Sequence, residues 1–97
     1  MEGGMPLPLE KARHVLLKHT VHAYSYVDHV VASILIEADN PDAPYIVHLT
    51  YTGNELKVDR AFLIDLQRKT VVDLTSNWNT DVNMKLKVEA IRKELDL

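Results

Sequence analysis

The chain has 97 residues, 46% of them apolar and 26% charged, which is one domain's worth of chain with an ordinary core. It contains no cysteine, so disulfides, thiolate metal sites and cysteine nucleophiles are excluded. The net charge is −3 with bases and acids interspersed, which argues against a nucleic-acid surface. The longest apolar runs are only a few residues, so no membrane span is expected.

Residues 1–7 are expected to form a flexible arm ahead of a single domain over 8–97. The arm has neither the basic region nor the apolar stretch of a secretory signal, so a cytoplasmic location is expected. Pro8 suits the first turn of a helix and Glu10 sits near its positive dipole end. Leu9, Ala12, Val15, Leu16 and His19 give that helix an apolar stripe, and its end is predicted between Thr20 and Ala23.

Residues 24–38 read two ways. Val27, Val30, Val31, Ile34, Leu35 and Ala38 fit a helix, with Ser25 and Asp28 as a capping box. Val30, Ala32, Ile34, Ile36 and Ala38 also fit one face of a strand. The β-branched content and the turn signal Asp39–Pro44 favour the strand. Further strands are predicted over 45–52, 55–66 and 71–75, then a loop over 77–80. A last helix is capped by Thr80 or Asp81 and carries the stripe Met84, Val88, Ile91, Leu95. The expected fold is α+β: a four-stranded antiparallel meander with an N-terminal and a C-terminal helix packed on one face.

Gly53-Asn54 between two alternating runs predicts a two-residue hairpin. Its simple register pairs Tyr51 with Leu56, Leu49 with Val58, Val47 with Arg60 and Tyr45 with Phe62. Tyr45, Val47, Leu49, Tyr51, Leu56, Val58, Phe62 and Ile64 then face the helices, with Arg60 an intruder among them. The other face carries His48 opposite Asp59, and an apolar patch of Ile46, Ala61, Leu63 and Val71. For the next turn, a three-residue loop Gln67-Arg68-Lys69 puts Val72 and Leu74 on the core face. It requires Lys69 in a left-handed conformation and turns Asp65 and Asp73 outward.

Arg60, His48 and Asp59 are the candidate ligand-binding residues. A guanidinium among apolar neighbours can anchor an anion through its planar fork, or extend its head to water. His48 with Asp59 could act as a base and its orienting acid, or as an ordinary cross-strand pair. No catalytic residue is assigned, since no nucleophile accompanies them. His14, His19, His22 and His29 lack a metal-site pattern, and Gly3, Gly4 and Gly53 make no phosphate loop. No metal or cofactor is therefore expected. Lys85, Lys87, Arg92 and Lys93 read as the wet face of the last helix. Trp78, in a polar loop, joins Ile46, Leu63 and Val71 as a candidate contact surface.

Over residues 31–74, Glu37, a short turn, Tyr45-x-Val47, the Gly53 turn and Ile64-Asp65-x-x-x-Lys69-Thr70-x-Val72 resemble the small PepSY-type and cystatin-like helix-plus-meander domains. That family's last hairpin has glycine after the threonine, where this chain has Val71, and its turn is one residue shorter. The resemblance implies the helix-plus-meander architecture and a role in protease inhibition or regulation. The residues themselves point to a small non-enzymatic module that binds a protein partner or a second copy through an open sheet face or edge strand. The alternative is an anion binder or minor enzyme with a pocket between sheet and helices near Arg60.

Overall fold

Apolar residues at helical spacing form two helices, α1 (Leu7–Leu17) and α2 (Val82–Glu94), at the two ends of the computed structural model, which describes residues 7–97. The arm expected over residues 1–7 lies outside the described residues except for Leu7. Thr20, where α1 was expected to reach, instead turns its hydroxyl back to the Leu16 carbonyl (2.7 Å), and the helix stops three residues earlier. Asp81 caps α2 by accepting from the amides of Asn83 and Met84 at 3.1 and 3.2 Å.

Between the helices runs an antiparallel meander, β1 (His22–Ser25), β2 (Val30–Ile36), β3 (Tyr45–Tyr51), β4 (Leu56–Asp65) and β5 (Thr70–Asp73), neighbours in sequence being neighbours in space. The sheet thus has five strands, one more than the four expected. The segment that also fitted a helix is a hairpin: β1 and β2 turn through Tyr26–His29, where the Tyr26 amide donates to the His29 carbonyl. Its tip, Val27-Asp28, has none of the glycine or asparagine chemistry that marks such turns.

The Gly53-Asn54 hairpin forms as expected. Thr52 donates its amide to Glu55, Tyr51 pairs with Leu56, and Gly53 takes φ +104°, which costs glycine nothing. The register then departs from the simple one. Leu49 pairs with Val58, but His48 pairs with Arg60, so Asp59 is an extra residue and β4 is bulged. Beyond the bulge every side chain of β4 changes face relative to expectation. Ala61, opposite Val47, is fully buried under the helices, and Leu63 shares that side with Tyr45. Arg60, Phe62 and Ile64 turn to the other face. The intruder in the core is thereby removed.

The β4–β5 turn pairs Asp65 with Thr70, leaving four residues, Leu66–Lys69, in the loop rather than three. Lys69 does adopt the left-handed conformation (φ 56°), and Asp65 holds the turn by accepting from the amides of Gln67 and Arg68 at 3.0 Å. With β4 shifted as well, Val72 still lies on the helix side and Asp73 on the other. Asp65 and Asp73 therefore occupy opposite faces, and their expected juxtaposition does not occur.

The core lies between sheet and helices: Ala12, Val15 and Leu16 of α1, Met84, Val88 and Ile91 of α2 with Leu95 beyond it, and the inward rows of β2, β3 and β4. Each fully buried Val, Leu, Ile or Met side chain there contributes about 1.5–3 kcal/mol. Tyr45 ties the layers together by donating its hydroxyl to Asp81 at 2.8 Å. No described helix is long and apolar enough to cross a membrane.

Candidate functional site

Both helices pack on one side, so the pairing registers assign the outer face row by row. Tyr24, Val31, Thr50 and Lys57 form one row; His22, Ser33, His48 and Arg60 the next. Leu35, Ile46, Phe62 and Asp73 form the third, with Ile64 and Val71 beyond it. A polar row is thus bordered by an apolar field made of Leu35, Ile46, Phe62, Ile64 and Val71. Leu35 is 42% and Val71 63% exposed.

The polar row is organised by short contacts. Ser33, only 9% exposed, shares a hydrogen bond with Nδ1 of His48 at 2.8 Å. The Phe62 ring stands edge-on to the imidazole, centroids 6.3 Å apart, and the Arg60 guanidinium lies 5.7 Å over Phe62. Asp59, pushed out by the bulge, accepts the Thr50 hydroxyl. Arg60 makes no ion pair among the described residues. Asp73 is engaged by Thr75, whose hydrogen bonds hold its carboxyl below the usual range, with Arg60's charge adding less.

Arg60 and His48 are therefore brought together, as cross-strand partners, while Asp59 faces Thr50 rather than His48. Ile46 and Val71 lie on the outer face. Leu63 does not, because of the bulge. Trp78 lies in a short 3-10 turn (Trp78–Thr80), packs against the core and receives the Arg92 guanidinium 5.5 Å from its ring. Its place in a polar loop concealed that packing. Phe62 and Ile64 were missed as surface residues since only two buried positions three apart, Val58 and Ala61, betray a bulge, and alanine is a weak signal of burial.

Among the described residues Ser33 is the one side chain hydrogen-bonded to the His48 ring, and it takes Nδ1. The four upstream histidines do not converge: His14 lines the cavity beside α1, His19 meets Glu94, His29 meets Asp28, and His22 lies on the sheet. Among the described residues no three His, Asp or Glu side chains are grouped to hold a metal.

One cavity, of about 820 Å³, opens between α1 and the end of α2, lined by Ala12, His14, Val15, Tyr51 and Leu95 among others. Charges at its rim pair with one another, Lys11 with Asp96 at 3.9 Å and Lys18 with Glu94 at 4.0 Å. Arg60 lies on the opposite side of the sheet, so the pocket between sheet and helices lacks the anion anchor expected there.

No protein-family profile matches the chain, and neither a curated protein nor a solved structure is similar to it at a significant level.

Proposed function

We propose that this domain is a non-enzymatic interaction module working through the outer face of its sheet. The observation that carries the reading is the apolar field on the side that neither helix protects, where Leu35 and Val71 are exposed and Ile46, Phe62 and Ile64 half-buried. Contiguous apolar surface of this kind marks contact sites, whereas scattered exposed residues do not. The edges support a face rather than strand addition. β1 and β5 are four residues each, and the Leu56 carbonyl on the open stretch of β4 is taken by Arg92 at 2.8 Å.

The test is site-specific photo-crosslinking in cells, with a benzophenone side chain at position 46, 62 or 71 and controls at Lys85 and Glu89 on the exposed side of α2. Protein adducts from the sheet positions and none from the helix positions are expected. Adducts from the helix positions alone would discard the reading. A second reading, anion recognition, is favoured by Arg60, which lies beside His48 and makes no ion pair among the described residues. It predicts saturable shifts of the His48 ring signals on titrating acetate or phosphate, lost in Arg60→Gln.

A further inference from the structure

We infer that the occupant of the outer face is the same face of a second copy of this chain, related by a two-fold axis. This rests on the proposal that the outer face is a docking surface, and it names the partner.

Size is the first argument. Central strands of seven residues rising about 3.3 Å each, in a sheet of five strands about 4.8 Å apart, give a footprint of roughly 20 by 20 Å. Covered with side chains, such a face presents on the order of 500–800 Å², against about 800 Å² per partner in a standard interface. Only the whole face, and no part of it alone, approaches that requirement. A short peptide would leave much of the apolar field wet.

Charge is the second. The face carries Lys57 and Arg60 against Asp59 and Asp73, so its fixed charges balance. A strongly acidic or basic partner finds no opposite field there, while a second copy meets no net like-charge repulsion. Arg60, which makes no ion pair among the described residues, is offered carboxylates by the opposing copy, and under two-fold symmetry each such contact occurs twice. The edges, short or capped by Arg92, favour stacking of faces over a continuous sheet.

The experiment is sedimentation equilibrium of the purified full chain from about 1 to 200 μM, a range that reports micromolar association. The mass of two chains is expected. Phe62→Asp should raise the dimer dissociation constant about 100-fold or more, as loss of a central aromatic anchor does. Arg60→Asp should raise it about tenfold. Leu86→Asp, on the exposed side of α2, should leave it unchanged. Should circular dichroism show Phe62→Asp unfolded, Val71→Asp on the exposed edge strand reads the same surface. A monomer at every concentration overturns the inference, as does a dimer indifferent to Phe62→Asp and Val71→Asp or dissociated by Leu86→Asp. A monomer whose position 62 still crosslinks to a different protein overturns the second copy while the docking face stands.

Discussion

Arg60 stands across the β3–β4 ladder from His48, and it does so because Asp59 is one residue too many for a regular strand. That single residue decides the character of both sheet faces. Without it Arg60 would point into the helix layer and Phe62 would be core. With it, small Ala61 takes the crowded place under the helices, and Arg60, Phe62 and Ile64 build the outer surface.

The exchange of Ala61 and Phe62 makes the first prediction. Ala61→Asp puts an unpaired carboxylate at a fully buried site, a cost of about 3–5 kcal/mol and comparable with a small domain's total stability. Phe62→Asp should cost less than about 2 kcal/mol in the monomer, since the position is half-buried on the face away from the helices. Urea unfolding followed by circular dichroism distinguishes them. An unfolded Phe62→Asp beside a stable Ala61→Asp would move the bulge elsewhere.

Much of the architecture was legible in local chemistry. The α2 stripe Met84, Val88, Ile91, Leu95 is buried throughout, and the Gly53 hairpin forms where its turn residues specify. Such features carry their signal within a few neighbouring residues. The β1–β2 hairpin did not, because its tip Val27-Asp28 has an aspartate but no glycine or asparagine to mark a two-residue turn. The bulge at Asp59 did not either, since its cause lies in the fit of β4 against β3 and the helices. The candidate site inherits the second gap: Arg60 and His48 were singled out, but their adjacency and the place of Phe62 on the outer face follow from the bulge.

Tyr45 and Asp81 supply the second prediction. Asp81 caps α2 and accepts the Tyr45 hydroxyl at 2.8 Å, so Asp81→Ala should cost about 1–2 kcal/mol. Tyr45→Phe should cost about 1.5 kcal/mol, and the double variant less than the sum. The Asp81 carboxylate, followed by burial, raises the phenol's pKa. Folding therefore favours the neutral phenol: its contribution is complete below about pH 10, the unfolded value, and is lost as pH rises through the higher folded value. Tyr45→Phe should flatten the alkaline limb of the stability profile. An unchanged alkaline limb would show that Tyr45 does not carry it.

Glu94 governs part of the acid limb. The hydrogen bond with His19 lowers its pKa most, and the charges of His19, Lys18 and Lys87 add to this. A lowered carboxyl contributes stability above its unfolded value, about 4.3, and loses it as pH falls through the lower folded value. Glu94→Gln should reduce the urea midpoint at pH 7 and lessen its drop below pH ~4.3. The difference should shrink in high salt, because the pair is exposed. Parallel wild-type and variant profiles across that range would contradict the assignment.

Lys69 is held at φ 56°, a region that disfavours a side chain. Lys69→Gly should therefore raise stability by about 0.5–1 kcal/mol, read as a higher urea midpoint at unchanged slope. A destabilised variant would mean that the lysine side chain compensates its backbone.

The most direct test of the account is isotope-filtered NMR on a mixture of labelled and unlabelled chains, which records only contacts between copies. Intermolecular contacts are expected to the methyl groups of Leu35, Ile46 and Ile64 and to the Phe62 ring. Contacts confined to Val82 and Leu86 on α2, or none at concentrations where the protein sediments as two chains, would contradict it.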